Sequence, residues 1–289
     1  MTATASQEQL KTDCDKTSAR LTSKGYPVFI FNGAITPEQL CFFKTNGLIH
    51  FKHFITPDEV SALREEITAI NSHFIANNIT KVNGVPIKFG KDEKGNTMVQ
   101  RFAFASLFSQ KIHALLQQDA FTTLNGFLSE NARIGINEKD GVVINHYINN
   151  PGSSFSEMGW HTDSLRDLFY GTKIKPMLNV GVHLDDTKHN GSLKVLAGTH
   201  TQNLWQTLFR KRYFLDKSAD KNELSIEVEA GDLTIHDGRI WHRMERSTKT
   251  GPATRRRVMY FPIITGEYKP KNENSPTPFY QRFYNKVLK

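Results

Sequence analysis

Leu233-Thr234-Ile235-His236-Asp237-Gly238-Arg239-Ile240-Trp241-His242 reads as a short β-run, a turn and the start of a second run. Apolar and polar residues alternate from Leu233 to His236, the period-two pattern of a strand with one face buried. Asp237-Gly238 then interrupts it with turn chemistry. The same grammar recurs on both sides. Val142 to Ile148, Met177 to Leu184, Ser192 to Leu196, Leu224 to Val228 and Arg256 to Ile264 are β-rich runs. They are punctuated by Asn150-Pro151-Gly152, Asp185-Asp186, Asn190-Gly191 and Glu229-Ala230-Gly231-Asp232. Many short strands between turn signals predict a mainly β fold, a sandwich or jelly roll, with helices packed outside it.

Those helices lie earlier in the chain. Pro37 to Asn46 carries Leu40, Phe42 and Phe43 and stops at Asn46-Gly47, before a strand over Leu48 to Phe51. Thr56, Pro57 and Glu59 form a capping box with proline at the first helical position. A helix is therefore expected from Pro57 to His73, its apolar face made by Val60, Leu63, Ile67 and Ile70. Ser109 to Glu130 reads as one further helix, and Leu204 to Phe214 as the single helical insertion among the strands. Residues 76–100 read as a variable insertion containing a hairpin over Val82 to Phe89, and segments 76–100 and 164–176 are expected to shape a pocket.

A chain of 289 residues with 38% hydrophobic content can form one large domain, here expected over 26–289 after a polar, flexible leader at 1–25. No run is long and apolar enough for a bilayer, and the leader lacks the apolar centre of a secretion signal. Cys14 and Cys41 stand in no metal-like or framework spacing, which points to a reducing, cytoplasmic setting without disulfides. The net charge of +8 matches the segment from Arg246 to Lys289, with ten basic residues against two acidic ones. No helix-turn-helix, RNP or zinc-finger pattern accompanies it, so neither nucleic acid nor membrane is the expected partner. Attraction of a small anionic substrate is the simpler reading.

The chemistry is carried by Gly159-Trp160-His161-Thr162-Asp163. A histidine and an aspartate two apart on a strand project from one face, so imidazole and carboxylate converge. Such a pair is common by chance. With a second imidazole from a distant strand, His242, it becomes the 2-His-1-carboxylate set that leaves positions open on non-heme Fe(II). His236 competes for that third place, since the alternation of its run also allows it to face inward.

Taken together, these segments resemble the phytanoyl-CoA dioxygenase family of Fe(II)/2-oxoglutarate oxygenases. The likeness runs in order through Asn46-Gly47-Leu48, Thr56-Pro57-Asp58-Glu59-Val60, His161-Thr162-Asp163, Leu184-Asp185-Asp186-Thr187, Asn190-Gly191-Ser192-Leu193, Gly198-Thr199-His200, Gly231-Asp232-Leu233, Trp241-His242 and Arg255-Arg256-Arg257, spanning about Leu40 to Ile264. The resemblance implies a double-stranded β-helix (jelly roll) with flanking α-helices, and His161, Asp163 and His242 as iron ligands. It implies 2-oxoglutarate and O2 as cosubstrates, with ascorbate as a stimulant.

It also implies a basic residue gripping the far carboxylate of 2-oxoglutarate, a task suited to the planar fork of arginine. Strand alternation allows either Arg256 or the pair Arg255 and Arg257 to face inward, and family spacing selects Arg256. Asn145, on the strand before the HxD, is a candidate polar contact to cosubstrate or substrate. Met244 stands where the family often has a small polar residue. Asp163 in place of a small residue separates the chain from related halogenases.

The implied reaction is hydroxylation of an unactivated C–H bond in a small anionic or carrier-bound metabolite, with release of succinate and CO2. Desaturation, epimerisation or cyclisation is the alternative outcome, and an idle jelly-roll binding protein the rival. Trp160 and Trp241 are expected to pack the core behind the ligands. His146, His183 and His200 are expected to be structural, and His50, His53, His73, His113 and His189 to have no constellation around them. Arg166, Lys173, Lys175, Arg239 and Arg243 are read as solvated, with a place at the site's mouth as the functional alternative.

Overall fold

The computed structural model describes residues 25–169, 173–188 and 190–277, so the expected leader at 1–25 lies, Gly25 apart, outside the described residues. The predicted capping box at Thr56 forms, and a second one, not read from the sequence, forms at Thr36. Thr36 and Gln39 start helix α1 (Pro37–Asn46), which ends where Gly47 turns left-handed at φ 73°, leading into β1 (Leu48–Phe51). Thr56 and Glu59 start α2 (Pro57–Ala76), which runs past His73 because Phe74 completes its buried stripe.

The insertion at 76–100 is not a detached loop. A hairpin of β2 (Lys81–Val82) and β3 (Val85–Pro86) turns through Asn83-Gly84, both at positive φ, and β4 (Lys88–Lys91) then pairs with β5 (Thr97–Phe102). The single helix expected from Ser109 to Glu130 is two short ones, α3 (Gln110–Leu115) and α4 (Asp119–Thr123), followed by a 3-10 turn. The extended Gln118 between them lets Leu116, Phe121, Leu124 and Phe127 all reach one core, which one straight helix would not do.

In the later part the predicted runs form, joined by a short unpredicted strand and by a second helical insertion where Leu204 to Phe214 was expected to be the single one: β6 (Arg133–Ile134), β7 (Val143–Tyr147), β8 (Met158–His161), the additional helix α5 (Arg166–Phe169), β9 (Met177–His183), β10 (Leu193–Leu196), α6 (Leu204–Arg210), β11 (Leu224–Ile226), β12 (Leu233–Asp237), β13 (Trp241–Met244) and β14 (Arg256–Ile264). Helix α6 stops at Arg210, short of the expected Phe214, because Lys211 is extended.

The main path of the large antiparallel sheet has the order β1-β12-β9-β14-β7-β5-β4, with β6 also on β14, and a smaller one has the order β11-β10-β13-β8. Alternation sorts the large sheet into two faces. Val180, Val182, Leu233, Ile235, Met259 and Phe261 join the buried residues of α1 and α2 in one core. On the opposite face Leu48, Tyr147, Val258 and Tyr260 pack with Leu193, Val195, Leu224, Ile226 and Met244 of the small sheet. Trp160 and Trp241 cover the far side of the small sheet with Leu165 and Leu196, the core role expected of them.

Cys41 is disulfide-bonded, against the expectation of unpaired cysteines, and the chain's other cysteine, Cys14, lies outside the described residues. Among the described residues no helix is long and apolar enough to cross a membrane.

Candidate metal centre

Strands β8 and β13 pair with His161 opposite His242, so both imidazoles leave the small sheet on the same side. Asp163 follows two residues after His161. One donor atom from each of the three lies within 4.8 Å of the others, and all three residues are buried. Each imidazole is oriented by its own backbone: Nδ1 of His161 meets the Gly159 carbonyl at 2.8 Å and Nδ1 of His242 the Ile240 carbonyl at 3.1 Å. That bond leaves each Nε2 as a lone pair aimed at the centre. Burial pushes the His161 imidazole down to about 4 and holds His242 well below its ordinary value, so both rings stay neutral.

The carboxylate is held just as closely. Burial alone favours a protonated Asp163, but a hydrogen bond from His236 and the charge of Arg166 outweigh it and keep the group well below the usual range. Oδ2 accepts from Asn179 Nδ2 at 2.8 Å and meets His236 Nε2 at 3.2 Å, while an Arg166 nitrogen stands 3.5 Å from Oδ1. Asn179 and His236 are direct partners across β9 and β12, which lets both reach one oxygen. His236 therefore faces inward as its alternation allowed, but as a partner of Asp163 and outside the three-residue cluster. Sequence reasoning missed Asn179, although a lone amide in the apolar run Met177-Leu178-Asn179-Val180 was a signal.

A second missed feature backs His161. Residues 214–216 run along β8, with Phe214 N–H on the Trp160 carbonyl at 2.7 Å and Trp160 N–H on the Asp216 carbonyl at 2.8 Å. This approach requires Gly159, because a Cβ there would lie 2.3 Å from the Phe214 carbonyl oxygen. The segment stacks the Phe214 ring on His161 at 4.5 Å and brings the Tyr213 hydroxyl to the Thr162 carbonyl at 2.7 Å.

The three arginines at the start of β14 separate cleanly. Arg255 is exposed. Arg257 forks onto Asp185 with two contacts of 2.8 Å, and Arg64 binds the same carboxylate at 3.1 Å. Arg256 is 2% exposed and faces the small sheet. Its Nη1 donates to the carbonyls of Gly191 and Glu245 at 2.7 and 2.8 Å and lies 3.4 Å from Met244 Sδ, and its Nη2 donates to the Ser156 carbonyl at 3.1 Å. Its Nε has no partner, and among the described residues no acidic side chain pairs with it. Burial pulls the guanidinium down to about 10, which leaves it cationic at neutral pH. Beside it, Tyr147 lies under the guanidinium at 5.6 Å and accepts from Asn145 Nδ2 at 3.1 Å, while Asn145 Oδ1 is buried without a partner.

Elsewhere, His50 does have a constellation, contrary to expectation: its Nε2 stands 2.8 Å from Asp232. Burial opposes the Asp232 charge, but the His50 bond and the amides of Glu229 and His53 hold it at about 2. His183 meets Thr234 at 3.0 Å and His200 the Lys44 carbonyl at 3.0 Å, both structural as expected. Arg243 is taken by Glu223 and Arg239 by Asp237. Arg101, Arg166 and Lys271 all converge on Asp140, at 3.0, 3.2 and 3.0 Å, so part of the basic C-terminal charge is internal.

A β-sandwich arrangement enclosing two neutral imidazoles, a carboxylate and a buried unpaired arginine has the makings of a metal-dependent site for an anionic cosubstrate. The chain belongs to the phytanoyl-CoA dioxygenase (PhyH) family, whose sequence profile matches residues 43–256. Comparison with curated proteins by sequence gives no match. Among solved structures it is similar to HygX from Streptomyces hygroscopicus with nickel and 2-oxoglutarate bound, at 18% identity over 82% of this chain and 90% of that one, with a TM-score of 0.58. It is also similar to the epimerase SnoN in complex with Fe3+, alpha ketoglutarate and nogalamycin RO (15% identity, 80% and 84% covered, TM-score 0.55). A third likeness is the carbocyclase SnoK from nogalamycin biosynthesis (16% identity, 89% and 92% covered, TM-score 0.55). At these identities the likeness is one of fold.

Proposed function

We propose that the protein is an Fe(II)- and 2-oxoglutarate-dependent oxygenase built as one jelly-roll domain over 26–289. His161, Asp163 and His242 hold the iron, Arg256 grips the distal carboxylate of 2-oxoglutarate, and Asn145 adds a polar contact. The observation that carries this reading is Arg256: a buried cation bonded to carbonyls, with a free Nε–H and, among the described residues, no carboxylate of its own. A buried charge of that kind is costly unless an anion completes it.

The donor set fits the metal. Two neutral imidazoles and one carboxylate suit divalent iron and leave part of its coordination for cosubstrate and O2. When bound, iron with 2-oxoglutarate supplies the oxidising chemistry, with release of succinate and CO2 and attack on an unactivated C–H bond. The chain's own contribution is orientation. Gly159 and Ile240 carbonyls fix the two ring tautomers, Asn179 and His236 fix the carboxylate, and the buried surroundings keep water out. Hydroxylation of a small anionic metabolite is the reading for substrate and outcome. The likeness to an epimerase and a carbocyclase favours epimerisation or cyclisation as the second reading, since the outcome depends on where the substrate presents its C–H bonds.

The test is aerobic conversion of 2-oxoglutarate to succinate by purified protein with Fe(II) and ascorbate and a pool of small metabolites. Turnover is expected in the parent and absent in His161→Ala and Arg256→Ala. If the parent neither turns over nor binds iron or 2-oxoglutarate by calorimetry, the idle binding-protein reading replaces this one.

A further inference from the structure

Asp163 follows the end of β8, and the chain turns directly into α5, whose first residue is Arg166. That turn is tied to the β12–β13 turn, with Ser164 N–H on the Gly238 carbonyl at 2.8 Å. Arg166 therefore folds back over Asp163, three residues earlier, and each nitrogen of its guanidinium has a task. Nε donates to the Asp163 carbonyl at 3.3 Å, Nη2 stands 3.5 Å from Asp163 Oδ1, and Nη1 donates to Asp140 Oδ2 at 3.2 Å. A cation at the first position of a helix gains nothing from the helix dipole, so these partners, and not local propensity, account for an arginine there.

The two oxygens of Asp163 are thus held from different sides. Oδ2 accepts from Asn179 at 2.8 Å and meets His236 at 3.2 Å, both on the large sheet, and lies 3.9 Å from His242 Nε2. Oδ1 faces Arg166, on the connection that leaves the small sheet. Rotation about the Cβ–Cγ bond would pull each oxygen off its partners. Asp140 fixes the far end of Arg166. It is 4% exposed, and it also takes Arg101 at 3.0 Å and Lys271 at 3.0 Å. Those cations come from β5 and from the segment after β14, so Asp140 is pinned by parts of the chain remote in sequence from the metal ligands. With two cations of its own, Asp140 does not need Arg166 to balance its charge; the pair serves the arginine.

We propose that Arg166 is a positioning residue of the metal centre: anchored by Asp140, it holds Oδ1 of Asp163, so that Oδ2 is the oxygen presented toward the imidazoles. The inference rests on the reading of His161, Asp163 and His242 as a metal site. A carboxylate that offers one oxygen takes one coordination position and leaves the others to the cosubstrates; one that is free to turn can offer both. Arg166 acts through Asp163, and Asp140 acts through Arg166.

The test reads anaerobic Fe(II) affinity by calorimetry on the full-length protein, and the visible absorption of the Co(II)-loaded form, which responds to coordination number. Arg166→Met is expected to weaken Fe(II) binding about tenfold, as losing a group that orients a metal ligand does, and to change the Co(II) band. Asp140→Asn should shift both readouts in the same direction. The double variant should be no weaker than Arg166→Met alone, because the one residue works through the other. Arg239→Met, which removes an arginine paired with Asp237, should match the parent in both. Urea midpoints separate positioning from folding. A midpoint lowered by Arg166→Met, with Fe(II) affinity and Co(II) band unchanged, would make the residue merely structural and overturn the inference, as would additive effects in the double variant. Should Arg166→Met fail to fold, Arg166→Lys gives the same reading, since it keeps the charge but cannot fork between Asp140 and Asp163. No Fe(II) binding by the parent would overturn the metal reading and this inference with it; a parent that binds Fe(II) beside an equally tight Arg166→Met sinks the inference alone.

Discussion

Asn179 donates to Asp163 Oδ2 at 2.8 Å from a strand of the other sheet and, with His236, orients the carboxylate oxygen that lies nearest His242. Groups that orient a metal-binding carboxylate typically contribute tenfold or more to metal affinity. Asn179→Leu is accordingly expected to weaken Fe(II) binding by about tenfold, read by calorimetry, while the 2-oxoglutarate affinity of Arg256 changes little. Unchanged iron affinity would show that His236 and Arg166 suffice to hold Asp163. At this scale the HxD pair was readable from the chain, because spacing on a strand dictates a shared face, and His242 was readable through the family resemblance. Asn179 and Phe214 were not, since neither carries any mark of which side chain it will meet.

Among the elements, the strip at 214–216 laid along β8 has the most to lose from a small change. It depends on the absence of a side chain at position 159, where a Cβ would meet the Phe214 carbonyl oxygen at 2.3 Å and that of Asp216 at 2.8 Å. Gly159→Ala is expected to cost about 1–3 kcal/mol of stability, as forced overpacking does, measured from the urea midpoint of the metal-free protein. Because the displaced strip carries Phe214 away from His161, iron affinity should fall as well. Stability equal to the parent's would mean that the strip shifts freely and does not buttress the centre. The strands themselves were legible, β14 over Arg256 to Ile264 to the residue. The break of the expected helix at Gln118 was not, because it answers to a shared core rather than to local propensity.

For the molecule as a whole, burial of neutral histidines sets the response to acid. Burial, together with His50 and His236, pushes His183 down to about 3, and burial, with Arg255 and Arg257, pushes His146 to about 3. The unfolded chain takes up protons on these rings as pH drops through about 6.5, whereas the folded protein does not until about pH 3. Stability is thus present above the unfolded value and is lost as pH falls through that window, by at most about 1.4 kcal/mol per pH unit for each ring. Urea midpoints of the metal-free protein should decline steadily from pH 6.5 to 4.5, and His183→Gln should make the decline shallower. A flat profile over that range would sink the idea. Asp140, held well below the usual range against its burial by Lys271, Arg166 and Arg101, adds its own loss only at lower pH, below about 3.8 where an unfolded aspartate protonates.

Local order along the chain was enough to determine the mainly β character, the helices α1 and α2 and the His161-Asp163 pair, because period, capping and turn chemistry act between near neighbours, whereas His242 was preferred to His236 on the family resemblance. Folding in three dimensions decided the rest: that among the described residues no acidic side chain pairs with Arg256 while Arg257 has Asp185, that His236 serves Asp163, and that His50 pairs with Asp232. Each of these depends on strand register and on which sheet face meets which, and a one-residue slip would invert them all, so no short stretch of sequence contains them.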